Sequence, residues 1–434
     1  MAERPRLGAW AATAMVVGEV VGVGIFLTPA TMMRSLGSPW RALAVWAGMG
    51  MLSAAGALCY AELATRFPTA GGTYVFLREA FGRRCAFVYG WMALLVVDPG
   101  LTAALGIGFS EYVRVVTGAP ADFAVPIALL AVMAFGLLTL LGIGASARLL
   151  RWSANAKLAA VGLLLLAAAV HTGGHMPRGG VTGSELPLGP AALAGSLIAA
   201  FFAFGGWWDL GRMSEEVEAP RRTMPRALLG GIALVTAIYV LVTATFVISS
   251  AMAIGSDAEL VTAIGTGLFG ARAARLLALI VVVAVSGSLA AVLLGAPRVY
   301  LAMARDGAFP HRLVRFDERR GTYPAATAVQ VTLAIALVLL GTFDQILAFF
   351  VPGAVFFLGL SAAALLVLPR PPADGRVFRT PAHPLPVLVF LMLIVAMLAL
   401  FAAGQTRQTL LGAAIIALGI PASWLVMPRA AKIE

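Results

Sequence analysis

Twelve long apolar runs constrain this chain more than any other feature. They lie near 8–34, 40–62, 84–114, 123–145, 152–171, 190–211, 226–250, 272–300, 324–342, 344–368, 385–403 and 409–427. A helix needs about 20 apolar residues to cross the hydrocarbon core of a bilayer. The runs show no alternation of apolar and polar residues, which argues against a membrane barrel. The expected fold is therefore an all-α membrane protein with twelve transmembrane helices. Charge agrees: 12% of the 434 residues are charged and 61% are hydrophobic, whereas soluble domains carry about 25% charged residues. So little charge cannot clothe a water-soluble surface of this size. The first apolar run continues directly into the chain, and no cleavable signal is expected.

The net charge of +11 could suggest nucleic acid, but its distribution points to a membrane. With the N-terminus in the cytoplasm and twelve alternating helices, 23 Lys/Arg fall on cytoplasmic segments and seven on outer ones. Most lie in the loops 63–84, 211–226, 298–323 and 369–384. This is the bias that orients helices, with positive loops inside. Both termini are expected in the cytoplasm, and no nucleic-acid partner is expected. Cys59 and Cys85 are too few for a disulfide framework and read as small buried hydrophobes. His171, His175, His311 and His383 read as solvated loop residues. No metal-ligand spacing or phosphate-binding glycine loop is present, so neither a metal nor a cofactor is expected.

Two of the runs carry breaks. The first reads Gly18-Glu-Val-Val-Gly22-Val-Gly24-Ile-Phe-Leu-Thr-Pro29, and the sixth reads Phe201-Phe-Ala-Phe-Gly205-Gly206-Trp-Trp-Asp-Leu-Gly211. Glycine and proline weaken helix continuity. Non-helical backbone at membrane depth is tolerated only where protein or a water-filled cavity satisfies it. Glycine alone would be explained by close helix packing. Run 1 opens the first five helices, however, and run 6 opens the second five. Gly-interrupted helices at matching places in two halves point to the central site of a carrier. Half-helix N-termini there suit a carboxylate and freed carbonyls suit an ammonium, so the expected ligand is a zwitterion.

Lys157 stands out in a chain whose other basic residues are arginine, apart from Lys432. It opens an apolar run, and an ionisable group within a span is a functional-site hypothesis by default. Lysine, unlike arginine, can give up its proton when buried. Snorkelling towards the interface beside Arg148 and Arg151 is the simpler alternative. Glu19, one turn before the first break, and Asp98, in Val96-Val-Asp-Pro-Gly-Leu101, admit three readings. They could bond to neighbouring helices or Lys157, couple to protons, or bind the distal amine of a cationic substrate. Asp209 reads as a helix cap or an arginine partner. Glu62, Glu215, Glu216 and Glu218 flank Arg-rich loops and read as solvated or salt-bridged gate elements.

These motifs resemble the amino acid–polyamine–organocation superfamily, over nearly the whole chain. Gly22-Val-Gly-Ile-Phe26 is similar to its helix-1 break, and Ala61–Tyr74 with Arg78-Glu-Ala-Phe-Gly82 to its first inner loop. Phe202-Ala-Phe-Gly-Gly-Trp207 with Ser214-Glu-Glu216 resembles the broken helix 6 of the L-amino-acid branch, and Arg298–Gly307 the end of helix 8. The resemblance implies one transporter domain over 1–434. It would consist of a LeuT-type 5+5 inverted repeat, 8–171 and 190–368, plus two C-terminal helices within 385–427.

The resemblance also implies a substrate site formed by Val20, Gly22, Val23, Gly24, Ile25, Phe202, Ala203, Gly205 and Trp208. Backbone N–H groups around Gly22–Gly24 would hold the carboxylate. Carbonyls of Val20, Phe202 and Gly205 would receive the amine, and Phe202 would be the aromatic gate. Lys157 would take the place of a sodium ion against helix 1, with Ser286 and Ser288 near the corresponding ion site. Val23 stands where the family usually has serine, and Trp208 where relatives often carry Asn or Asp. The implied activity is sodium-independent transport of neutral L-amino acids by exchange or proton coupling, in a bacterial-type inner membrane, as monomer or homodimer. Carriage of cationic amino acids or polyamines is the alternative. A sensor or channel on the same scaffold and an intramembrane enzyme are weaker ones.

Overall fold

The computed structural model describes residues 8–21, 24–68, 71–141, 143–172, 189–248, 257–372 and 377–427. Among them β-structure is confined to isolated bridge residues, as between Asp317 and Thr322. Everything else regular is helical. Ten helical stretches among the described residues are long and apolar enough to cross a membrane. An eleventh apolar helix, Pro324–Leu340, is shorter at 17 residues. The chain is a multi-pass membrane protein.

The first run divides into α1 (Ala9–Val20), α2 (Gly24–Leu27) and α3 (Pro29–Leu36). Then follow α4 (Pro39–Arg66), the short α5 (Thr73–Phe81), α6 (Arg83–Met92), one π-helical turn at Ala93–Val97, and α7 (Asp98–Thr117). The third apolar run is thus one span with a widened turn, which apolar periodicity does not announce. The first half closes with α8 (Ala124–Leu141) and α9 (Ile143–Thr172), the latter longer at its start than the expected 152–171.

The sixth run is α10 (Pro190–Phe204), which stops at Gly205, followed by a 3₁₀ run over Trp207–Glu216. Next come α11 (Pro220–Ile248), α12 (Asp257–Gly295), α13 (Pro297–Arg305), α14 (Pro324–Leu340) and α15 (Phe343–Val367). Helix α12 begins before the expected 272 and is kinked at Gly270, φ 83°. The last described helices are α16 (Leu385–Gly404) and α17 (Thr406–Val426), which are mostly unburied within the chain.

The four arginine-rich loops meet at one end of the bundle. Tyr74 and Arg78 of α5 bind Asp306 just after α13. Arg66 at the end of α4 donates to Pro369 O at 2.7 Å. A side chain added at Gly211 would touch Ala64 and Phe76. Glu62, expected to be solvated or salt-bridged, is 1% exposed. It accepts the Thr380 N–H at 2.6 Å and pairs with Arg370 at 3.7 Å. It is buried because the segment after α15 folds back over α4, which apolar patterning does not reveal.

Candidate functional site

The helix breaks lie where the glycines placed them. Helix α1 ends at Val20 and α2 starts at Gly24; Gly22 and Val23 lie outside the described residues. In the sixth run the helix stops with Gly205 extended (φ −60°, ψ 149°) and Gly206 at φ 109°. That φ favours glycine, because a Cβ there would clash with the backbone.

The two breaks touch. A Cβ built on Gly24 would stand 2.3 Å from Ala203 Cα, so the missing side chain lets α2 lie directly against α10. One built on Gly206 would fall 3.4 Å from Glu19. The backbone at both breaks is therefore shared between the two runs rather than facing lipid, as buried polar groups require. Ile25 and Ala203 are buried beside this contact.

Side chains from three other helices, together with Thr28 of the same run, satisfy helix-1 carbonyls around the break. Lys157, 8% exposed on α9, reaches Gly18 O with Nζ at 3.4 Å. Tyr239, fully buried on α11, points its hydroxyl at Val20 O (2.7 Å) and at Ala203 O (2.8 Å). Thr28 donates to Gly24 O at 2.9 Å, and Tyr112 of α7 donates to Phe26 O. Tyr239 and Tyr112 were not singled out in the sequence. For Tyr239 the available signal was a lone phenol in an apolar stretch, since a buried Tyr O–H generally finds a partner. Tyr239 is held by ring contacts to Trp46 and Phe204, each at 5.1 Å.

The aromatic side of the site lies along α10. Phe202 is half-buried and meets Phe343 and Phe350 of α15 edge-on at 5.7 and 6.4 Å. Trp208 stacks on Phe201 at 5.7 Å, and its ring lies 3.6 Å from where a Gly205 Cβ would be. Glu19 is exposed, beside this contact and within electrostatic range of Lys157.

Asp98, Ser286 and Ser288 are the remaining expected residues. Asp98 accepts a 2.6 Å hydrogen bond from Tyr300 of α13, a bond to a neighbouring helix. Ser286 donates to Val282 O within its own helix, and Ser288 is half-buried. The close approach of α9 to α12 is made instead by Ser153, one turn before Lys157. It donates to Ala284 O at 2.8 Å, and a Cβ on Gly287 would overlap it at 1.9 Å. Among the described residues no group of three or more His, Cys, Asp or Glu could hold a metal ion.

The amino acid permease family profile matches residues 7–420. The chain belongs to that family. The permease is 26% identical over 391 residues to the serine/threonine exchanger SteT of Bacillus subtilis (strain 168), covering 89% of this chain and 88% of the relative. It is 30% identical over 385 residues to large neutral amino acids transporter small subunit 2 of Rattus norvegicus, covering 85% and 70%. It is also 28% identical over 424 residues to the cystine/glutamate transporter of Homo sapiens, covering 95% and 83%. The permease is thus an amino acid transporter whose relatives differ in what their names say they carry.

Proposed function

We propose that this permease is a sodium-independent secondary carrier of neutral L-amino acids, working by alternating access through a 5+5 inverted repeat with two added C-terminal helices. The observation that carries the proposal is the Lys157 ammonium on Gly18 O, one turn before a break that abuts the second break at Ala203. A fixed cation facing helix-end carbonyls supplies the positive charge that a bound sodium ion would otherwise bring. The substrate carboxylate is assigned to backbone N–H groups around Gly22, Val23 and Gly24, and the amine to carbonyls of Val20, Phe202 and Gly205.

Phe202, as gate, and Trp208 give the side-chain pocket an apolar, aromatic wall, which supports a neutral substrate. Two relatives are named for serine/threonine or large neutral amino acids. The arginine-rich end is assigned to the cytoplasm, with both termini there, in an inner membrane. The permease acts as a monomer or homodimer.

Exposed Glu19 beside the breaks favours one second reading, a carrier of cationic amino acids or polyamines, in which its carboxylate takes the distal amine. Uptake of radiolabelled leucine and alanine into proteoliposomes, competed with excess arginine or putrescine, separates the two. Self-competition by neutral amino acids, unaffected by removing sodium, is expected. Competition by the dications alone would replace the first reading with the second.

A further inference from the structure

At the arginine-rich end of the bundle the start of α6 packs against the ends of both α13 and α17. Its register with α17 is antiparallel. Trp91 Nε1 donates to Ile415 O at 3.0 Å, and a Cβ on Gly419 would touch Trp91 and Val88. Further towards the end, the Arg84 guanidinium lies over the Trp424 ring, 5.9 Å from its centroid. On the other side a Cβ on Gly90 would strike Met303 of α13, and the Arg83 guanidinium lies 3.9 Å from where a Gly307 Cβ would stand. The first turn of α6 thus sends one arginine towards each neighbour. Both are exposed, as is Arg305 at the end of α13.

Charge accounting leaves these three cations over. α6, α13 and α17 contain no Asp or Glu. The carboxylates of the adjoining joint, Glu79 and Asp306, are both engaged by Arg78, at 2.9 and 3.1 Å, and Asp306 also takes the Tyr74 hydroxyl. Among the described residues no ion pair joins Arg83, Arg84 or Arg305 to a carboxylate. Helix α6 also starts without a side-chain cap, and uncapped first-turn N–H groups favour an anion. There is room for one, since a Cβ on Gly82 would meet nothing within 4 Å.

The surroundings select the kind of anion. Trp424, which carries Arg84 on its ring, is 63% exposed, and Leu425 beside it is 86% exposed. Leu418 and Ile420, earlier on α17, are exposed too. A tryptophan at the end of a span marks the headgroup level of a bilayer. Positive charge therefore borders directly on uncovered apolar surface. A free phosphate would use only the charged part, whereas a phospholipid uses both, with its acyl chains along α17. A zwitterionic headgroup would bring its own cation to a place with no carboxylate left to receive it. Stacking on Trp424 occupies the face of the Arg84 guanidinium and leaves its planar N–H fork for phosphate oxygens.

We propose that Arg83, Arg84, Arg305 and Trp424 form a binding site for the phosphodiester headgroup of an anionic phospholipid. The lipid bridges the start of α6 to the ends of α13 and α17, at the edge of the Tyr74–Arg78–Asp306 joint. Its binding is independent of what the permease carries.

The test uses full-length protein stripped of lipid in detergent and titrated with phosphatidylglycerol or with phosphatidylcholine of the same chains. Native mass spectrometry counts the lipid retained. Wild type should hold phosphatidylglycerol in preference to phosphatidylcholine. Arg83→Gln and Arg84→Gln should each weaken phosphatidylglycerol binding about fivefold, the contribution of one basic residue at an anionic lipid surface. Arg221→Gln removes another exposed arginine, at the start of α11, and should leave binding unchanged. Phosphatidylglycerol should also raise the melting temperature of wild type more than that of the Arg83→Gln/Arg84→Gln protein.

Equal losses in all three single variants would mean a diffuse positive surface rather than a site, and would overturn the proposal. Equal retention of the two lipids by wild type would do the same. Excess inorganic phosphate should leave the lipid in place; complete displacement would reduce the site to one for simple anions and remove the lipid assignment. Should an arginine variant fail to fold, the lipid preference and the phosphate competition of wild type decide the matter.

Discussion

The hydroxyl of Tyr239 lies 2.7 Å from the carbonyl oxygen of Val20, the last residue of α1, and 2.8 Å from that of Ala203 in α10. One phenolic proton can be given fully to only one of these acceptors at a time. The contact therefore ties the two interrupted runs together while leaving a choice between them. Tyr239→Phe keeps the ring packing against Trp46 and Phe204 but leaves the carbonyls without this donor. Losing a buried partner costs about 1–3 kcal/mol. The variant should melt at lower temperature than wild type in detergent, and its uptake should fall by a larger factor than its folded yield. Unchanged uptake would show that the bridge is incidental.

Gly24 and Gly18 form a matched pair. A Cβ at Gly24 would come to 2.3 Å of Ala203 backbone, while one at Gly18 meets nothing within 4 Å. Gly24→Ala must push α2 off α10, and overpacking of this kind costs about 1–3 kcal/mol. It should reduce folded yield and abolish uptake, whereas Gly18→Ala should behave like wild type. Equal tolerance of both, measured by size-exclusion profile and uptake, would refute direct contact of the two breaks.

The breaks themselves were legible because glycine and proline act locally. Gly205-Gly206 ends α10 whatever surrounds it, and Gly24 opens α2. What satisfies the broken backbone was only half legible. Lys157 announced itself as a charge in an apolar run, but Tyr239 reads as one more apolar-run residue until the fold brings Val20 and Ala203 to it. The burial of Glu62 was not legible either. It sits beside a loop in sequence and becomes buried only because residues more than 300 positions later fold over it.

Lys157 reaches Gly18 O from α9 with its ammonium at 3.4 Å. Lys157→Ala should remove most transport while leaving thermal stability near that of wild type, because truncation deletes the buried charge together with its desolvation cost. Uptake should be the same in sodium and in choline buffers for the wild type. A steep sodium dependence, or full activity of the variant, would contradict the role assigned to the ammonium.

Tyr74 donates to Asp306 at 2.9 Å at the arginine-rich end. Burial, reinforced by the Asp306 carboxylate, raises its phenol above the ordinary value of 10.0. The folded value exceeds the unfolded one, so the neutral phenol's contribution is fully present below the unfolded value. It is lost as pH climbs towards the folded one. Melting temperature should therefore show no pH dependence from this group near neutrality, and a decline on the alkaline side of the unfolded value. Tyr74→Phe should make that alkaline decline shallower; an identical decline in both proteins would argue against the shift.

The strap after α15 gives a prediction that does not depend on transport. Thr380 N–H donates to Glu62 Oε2 at 2.6 Å, Thr380 Oγ1 to Leu58 O at 3.2 Å, and Phe378 N–H to Thr65 Oγ1 at 3.1 Å. Three bonds from Phe378 and Thr380 fix this segment to α4, and only the first needs a carboxylate. Arg370 adds little, since its side chain is 38% exposed and 3.7 Å away, where pairs contribute about 0–1 kcal/mol. Glu62→Ala leaves the Thr380 N–H without an acceptor in a buried place, and the segment should loosen locally while the bundle stays folded. Trypsin should then cut at Arg379 faster than in wild type, as read by mass spectrometry of brief digests. Glu62→Gln retains an acceptor oxygen and should lie between the two. Equal cleavage rates in all three proteins would mean that the loop is held by its other bonds and that Glu62 is buried without clamping it.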